Sequence, residues 1–291
     1  MIVLSKNTVT ILEAIQKSAD FLAKKGVDSP RLQSELLLAH VLKAQRLKLY
    51  LDFSRAFTDA ETTSLRELVQ RRGAREPLQH ILGTACFWGL DLVVNTSVLI
   101  PRPETELLAE QGWKFLNALN RASTFLDFGT GSGCIAVGIC HFAKQSRGVA
   151  LDKSAEALAI ASANAAKHSV VDRLQFMESD AFSAIARDQL FDLIISNPPY
   201  IPAADIDRLQ EEVRKFDPRS ALDGGADGLD FYRILAAESA QHLAPGGKLM
   251  VEFGDGQQEI LPALFASAGW EIETILNDLN ERPRILIARR T

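Results

Sequence analysis

The chain has 291 residues, 47% of them hydrophobic and 24% charged, a length and balance that suit one large or two smaller globular domains with a real core. A formal net charge of −5 without any long run of Lys and Arg argues against nucleic acid as the main partner, although a local basic patch is still allowed. Three cysteines (Cys86, Cys134, Cys140) show no Cys-x-x-Cys spacing and the five histidines form no cluster, so neither a disulfide framework nor a metal site is expected and the expected compartment is a reducing cytosol.

Met1 to Lys6 turns polar too quickly for a signal peptide, and no apolar run approaches a membrane span, so a cytoplasmic protein without membrane contact is expected. Residues from about 8 to 73 read as short helices. Thr10 and Glu13 have capping-box spacing ahead of a stripe of Leu12, Ile15, Ala19 and Leu22, with Gly26 as the stop. Ser29-Pro30 predicts an N-cap followed by proline at the first helical position, leading into Leu32, Leu36, Leu37 and Val41. Thr58 and Glu61 repeat the capping-box spacing before Leu65, Leu68 and Val69, and Gly73 closes that helix. The result is a small N-terminal helical bundle over 1–75, with no polar cluster that looks catalytic.

Over 76–100, Phe87, Leu90, Leu92 and Val94 with Gly83 and Gly89 suggest a β-hairpin, read as a linker. Pro101-Arg102-Pro103-Glu104-Thr105-Glu106 then opens a helix running through Phe115. Its charged residues suit either a solvated helix start or the mouth of an active site. From Ser123 strands and helices alternate: strands at 124–128, 148–151, 174–177, 191–195 and 248–253, and helices at 135–143, 155–167 and 231–242. Two further strands, 270–276 and 285–288, lack a long helix between them and should pair antiparallel at an edge. Such alternation implies right-handed βαβ units and a mostly parallel sheet covered on both faces, the α/β class, over 101–291.

Three motifs in that region carry chemistry. Asp127-Phe128-Gly129-Thr130-Gly131-Ser132-Gly133 follows the first strand, where glycines let backbone approach a ligand at the carboxyl ends of the strands. No Gly-Lys-Ser/Thr follows, so it is not a P-loop. Asp152 ends the next strand, where a carboxylate can accept hydrogen bonds from ribose hydroxyls; the plainer role is a turn or N-cap before Ser154. Asp180, followed by Ala181, ends the third strand and is placed to meet an adenine amine or simply to make a turn. After the fourth strand comes Asn197-Pro198-Pro199-Tyr200. The prolines stiffen the loop and donate no hydrogen bond, which leaves carbonyls free, while Asn197 adds an acceptor and Tyr200 a flat wall. Such a set suits a planar amino group on an sp2 carbon.

Together these residues resemble the Rossmann-like, S-adenosylmethionine-dependent methyltransferases that modify planar amino groups. More closely, the chain resembles the HemK-type release factor glutamine methyltransferases, through Pro77 to Gly83, Val98 to Glu106, Ser196 to Ile201 and Ala221 to Leu229. That resemblance covers nearly the whole chain and implies a seven-stranded methyltransferase domain behind the helical bundle and hairpin. It further implies methylation, from S-adenosylmethionine, of the glutamine amide nitrogen in the Gly-Gly-Gln loop of class 1 peptide chain release factors. Asn197, Pro198, Pro199 and Tyr200 would hold the amide; Gly129, Thr130, Gly131, Ser132, Gly133, Asp152, Asp180, Ala181 and Asn197 would hold the cofactor. A monomer is expected, with the target loop entering between the two domains. The chain departs from the family at Phe128, where leucine is common, at Ala181, where an aromatic is common, and at Glu281, where glycine is usual. Adenine packing would then rest on Phe182 or another group. Two other readings stay open: a methyltransferase acting on a nucleobase amine, and a non-catalytic cofactor-binding protein.

Overall fold

The computed structural model describes residues 9–290; the N-terminal stretch from Met1 to Lys6 lies outside them. The chain divides into two compact units, Met1–Gly83 and Thr84–Thr291.

The first unit is helical: α1 (Ile11–Lys24), α2 (Pro30–Val41), α3 (Arg46–Leu51), α4 (Asp59–Gly73) and α5 (Leu78–Leu82). Both capping boxes form. Thr10 Oγ1 accepts from the Glu13 N–H at 3.3 Å while Glu13 Oε2 accepts from the Thr10 N–H, and Thr58 and Glu61 do the same. The buried face of α1 is Ile11, Ile15, Ser18 and Leu22, so the expected stripe is right except at Leu12, which lies a third of a turn off that face and is exposed. Ser29 precedes Pro30 as expected but sits at φ 46° and makes no side-chain cap bond.

In the second unit, β1 (Thr84–Phe87) and β2 (Leu90–Val93) form an antiparallel hairpin. Its turn residues, Trp88 and Gly89, both have positive φ (50° and 75°), the mirror-image turn that suits strand twist. Phe87, Leu90 and Leu92 share a core with Leu108, Trp113, Phe125 and Ile139, so the hairpin is an integral part of this unit rather than a free linker. α5 occupies the first part of the stretch read as linker, and the boundary falls after Gly83.

The rest alternates: α6 (Pro103–Ala118), β3 (Ser123–Phe128), α7 (Cys134–Phe142), β4 (Ser146–Asp152), α8 (Ala155–Lys167), β5 (Leu174–Glu178), β6 (Phe191–Ser196), α9 (Glu211–Phe216), α10 (Asp230–Glu238), β7 (Leu243–Glu252), α11 (Ile260–Ser267), β8 (Trp270–Asn277) and β9 (Pro283–Arg290). The seven strands run in the order β5-β4-β3-β6-β7-β9-β8. Neighbours among the first five pair in parallel, and β9 pairs antiparallel with both β7 and β8. Apolar clusters cover both faces, which is why β3 and β6 read as nearly unbroken apolar runs. β7 begins five residues before its apolar run because Gly246 (φ 78°) and Gly247 carry it through an irregularity opposite Phe191 and Leu193. The order reverses between β3 and β6: the chain leaves β3 towards β4 on one side and returns to β6 on the other. A crevice at the carboxyl ends of strands flanking such a reversal is where open α/β sheets bind ligands.

Candidate active site

The glycine loop after β3 lies on one side of that crevice. Gly129, Gly131 and Gly133 all have positive φ (72°, 54° and 77°). A Cβ on Gly133 would lie 2.9 Å from the Ala161 Cβ, so that glycine serves helix packing; at Gly129 and Gly131 a Cβ would meet nothing within 4 Å. The bare backbone at those two positions faces open space. The loop is anchored by bonds from the Gly129 and Thr130 N–H groups to the Leu151 carbonyl, both 2.9 Å. Asp127, fully buried below it, accepts from Thr130 Oγ1 at 2.7 Å and from the Ala136 N–H at 3.1 Å. Its other oxygen has no partner among the described residues, and burial pushes its carboxyl up to about 7. The Ser132 carbonyl accepts from Asn164 Nδ2 at 2.9 Å and the residue is buried, so it fixes the loop from below.

Asp152, at the end of β4, accepts from the Gly131 N–H (Oδ2, 2.8 Å) and from the Ser154 N–H (Oδ1, 2.9 Å). The N-cap of α8 is Ser154 itself, whose hydroxyl accepts from Ala157, so Asp152 is not consumed as a cap. It remains half-buried, with lone pairs beyond those two bonds. Asp180 is exposed and pairs with Lys153 at 3.0 Å. Ala181 sits at φ 49°, and its carbonyl accepts from Ser179 Oγ, so only its backbone and methyl are on offer. Phe182 does not serve as an adenine wall: it is 4% exposed, packs on Phe128 at 5.1 Å and stacks on His242 at 5.4 Å.

Across the crevice, Ser196 Oγ donates to the Phe128 carbonyl at 2.7 Å and so ties the end of β6 to the end of β3. Asn197 Nδ2 donates to Thr105 Oγ1 at 2.9 Å. Among the described residues no N–H reaches the Asn197 Oδ1 or the Pro198 carbonyl. Tyr200 is half-buried; burial pushes its hydroxyl up to about 12, so it stays a neutral phenol.

The segment Asp223 to Gly228 supports this loop. Ile201 and Asp223 form a parallel bridge, and Gln257 Nε2 donates to the carbonyls of Tyr200 and Gly228, both at 3.2 Å. A Cβ on Gly228 would lie 2.3 Å from the Tyr200 carbonyl oxygen, and one on Gly224 would lie 2.8 Å from the Pro199 carbonyl oxygen. The glycines of that motif are therefore a seat for Pro199 and Tyr200.

The charged residues of the proline-rich segment take mostly structural roles. Arg102 donates to Asp217 at 2.7 Å, and Glu106 accepts from the Trp88 N–H at 2.7 Å. The residue that enters the site is Thr105 between the two glutamates, 2% exposed. Sequence reasoning passed over it, and over Glu252 at the end of β7, because a neutral threonine and a strand-end acid carry no motif of their own. Glu252 is 1% exposed, its Oε2 has no hydrogen-bond partner among the described residues, and burial pushes its carboxyl up to about 7.

The arrangement therefore combines a bare-backbone loop and a half-buried carboxylate at the end of β4 with two carbonyl acceptors, on Asn197 and Pro198, that no N–H of the described residues reaches. Residues 13–83 match the PrmC N-terminal domain, and residues 105–213 match the methyltransferase small domain. The chain is 45% identical over 261 residues to the release factor glutamine methyltransferase of Geobacter sulfurreducens, covering 90% of each. It is 41% identical over 288 residues to that of Nitratidesulfovibrio vulgaris, covering 98% of this chain and 97% of the relative. Among solved structures, a methyltransferase from Pyrococcus furiosus aligns with a TM-score of 0.50 at 19% identity, covering 78% of this chain and 97% of that one, a likeness of fold alone.

Proposed function

This chain belongs to the release factor glutamine methyltransferase family, and on that premise we propose that it methylates the side-chain amide nitrogen of the glutamine in the Gly-Gly-Gln loop of class 1 peptide chain release factors, with S-adenosylmethionine as donor. The observation that carries the reading is the Asn197–Pro198 pair of idle acceptors beside the bare Gly129–Gly131 backbone. Gly129, Thr130, Gly131, Ser132 and Gly133 would hold the cofactor with backbone, Asp152 would accept from its ribose, and the backbone around Asp180 and Ala181 would meet its adenine. The cofactor, when bound, supplies an electrophilic methyl group on a sulfonium.

An amide nitrogen is a weak nucleophile because its lone pair is delocalised into the carbonyl. Asn197 Oδ1 and the Pro198 carbonyl accept the two N–H groups of the substrate amide and fix its nitrogen in place. They also lie where positive charge grows on that nitrogen, and preorganised acceptors act most strongly on charge that develops in a site shielded from water. Pro199 and Tyr200 flank the amide plane. Fixing two reactants in this way can supply about 7–11 kcal/mol of the barrier. Tyr200 is no base, since its hydroxyl keeps its proton, and the surplus proton leaves the methylated amide after transfer.

No helix of the described residues is long and apolar enough to cross a membrane. With a release factor as substrate the protein acts in the cytoplasm, as a monomer and without direct contact to nucleic acid. Intact-mass analysis of a class 1 release factor incubated with this protein and S-adenosylmethionine tests the reading. One added methyl group that disappears when the loop glutamine is replaced supports it; label entering RNA or DNA instead overturns it in favour of a nucleobase methyltransferase.

A further inference from the structure

Two ties leave the first turn of α6 and reach the same loop of chain. Thr105 Oγ1 accepts from Asn197 Nδ2 at 2.9 Å, and Arg102, the N-cap residue, donates to Asp217 Oδ2 at 2.7 Å. Both belong to one turn, closed by a bond of 3.2 Å from the Thr105 N–H to the Arg102 carbonyl. The chain therefore leaves α6 at Asn197, passes Tyr200 and the Ile201–Asp223 bridge, runs out through α9 and comes back to α6 at Asp217. The result is a closed ring with the Asn197 amide set in it.

The far side of that ring has a narrow footing. No residue of α9 is buried. Between Ile201 and Asp223 the buried residues are Ile206, Asp217 and Leu222. Leu222 sits beside the bridge and Ile206 on the outgoing arm, so the returning arm is seated by Asp217. Its side chain is 1% exposed and that of Arg102 35%, and Asp217 Oδ1 has no hydrogen-bond partner among the described residues. Taking Arg102 away leaves a buried carboxylate without its cation, which costs far more than losing an exposed pair. The carboxylate escapes that cost by moving into water, and the end of α9 moves with it.

We propose, resting on the functional reading above, that Arg102 and Asp217 are positioning residues for the polypeptide substrate. Their ion pair fixes α9 and its flanking arms as an outer wall against which the loop carrying the reactive amide is held. The pair bonds neither to the glycine loop after β3 nor to the carbonyls of Asn197 and Pro198. It therefore acts on how tightly the protein substrate is held and not on the transfer itself. The Ile201–Asp223 bridge and Gln257 keep the Asn197–Tyr200 loop in place when the wall swings.

The test combines steady-state kinetics on a class 1 release factor, cofactor calorimetry and limited trypsin digestion. It compares the wild type, Arg102→Met, Asp217→Asn and the double variant Arg102→Met/Asp217→Leu. Arg102→Met should raise KM for the release factor about tenfold or more while kcat and cofactor affinity hold. Trypsin should cut it faster after Arg208, Arg214 and Lys215, all exposed on the freed stretch, with no gain at sites elsewhere in the chain. Asp217→Asn, which strands no carboxylate, should show both effects more weakly. The double variant, with neither charge left to bury, should recover most of the lost affinity. Unchanged KM in Arg102→Met overturns the proposal, as does a fall of kcat and cofactor affinity alongside it, or faster cleavage spread over the whole chain. If Arg102→Met does not fold, Asp217→Asn decides, and wild-type KM with wild-type cleavage is the overturning result. A wild type inactive on every release factor overturns the functional reading instead. The digestion pattern then still judges the ion pair, and KM is measured on the amine substrate that the enzyme does accept.

Discussion

Asn197 and Thr105 stand 92 residues apart in the chain and 2.9 Å apart in the fold, the amide nitrogen of one donating to the hydroxyl of the other. That bond joins the Asn-Pro-Pro-Tyr loop after β6 to the first turn of α6, so the proline-rich segment and that loop are tied together.

Removing the amide should leave the fold and take the reaction. Asn197 is half-buried at the rim and contributes no core packing, so Asn197→Ala should unfold at close to the wild-type temperature. Its turnover should fall by at least about 10²–10³-fold, the loss seen when one preorganised partner of a developing charge is deleted. Single-turnover methylation read by mass spectrometry measures it; near-normal turnover would sink the mechanism.

The glycines of the loop after β3 should separate binding from stability. At Gly131 a Cβ enters open space, so Gly131→Ala should cost mainly the backbone strain of φ 54° while intruding on the cofactor; calorimetry should show binding weakened by about tenfold or more, that is, by 1.4 kcal/mol upwards. Gly133→Ala places its methyl 2.9 Å from the Ala161 Cβ and should instead lower the unfolding temperature, by about 1–3 kcal/mol of overpacking. The opposite assignment of effects would mean that the open side of the loop is not the ligand side.

Gly228 offers a similar contrast at the seat of Tyr200. Gly228→Ala drives a methyl into the Tyr200 carbonyl oxygen and must displace the Asn197–Tyr200 loop, so kcat should fall well beyond any loss of stability. Gly246→Ala, at nearly the same φ (78° against 77°) but with nothing within 4 Å, should cost only about 1 kcal/mol of strain and leave kcat alone.

Much of this was legible beforehand, for reasons that residues make plain. α8 occupies 155–167 as the periodicity predicted, and the glycine loop, Asp152 and Asn197 all lie at the carboxyl edge of the parallel strands because strand-helix alternation leaves them nowhere else. Less legible was whatever depends on partners remote in sequence. Leu12 looked like core and is exposed, since the phase of a helix is set by what packs on it. Phe182 looked available for adenine, yet His242 and Phe128 flank it. Thr105 and Glu252 became visible only when α6 and β7 met behind Asn197.

The raised carboxyl of Glu252 also has a signature in stability. Its pKa rises from 4.5 in the unfolded chain to about 7 in the fold, so the native state holds that proton more tightly. Stability from this group is complete below about 4.5 and is lost as pH climbs towards about 7. Glu252→Gln, which never ionises, should therefore unfold at a higher temperature relative to the wild type as pH rises through that window, each kcal/mol worth about 2–4 °C in a unit of this size. A stability difference independent of pH would show that Glu252 is not the group that titrates there.

The bridge between Ile201 and Asp223 pinches off the excursion between them at its base, while Gln257 and the glycine seat hold Tyr200 from behind. Lengthening a pinched loop costs only slowly growing closure entropy. The Asn197–Tyr200 loop is thus insulated from the stretch that runs out to α9 and back. That stretch can therefore change in length or sequence while the Asn197–Tyr200 loop keeps its shape.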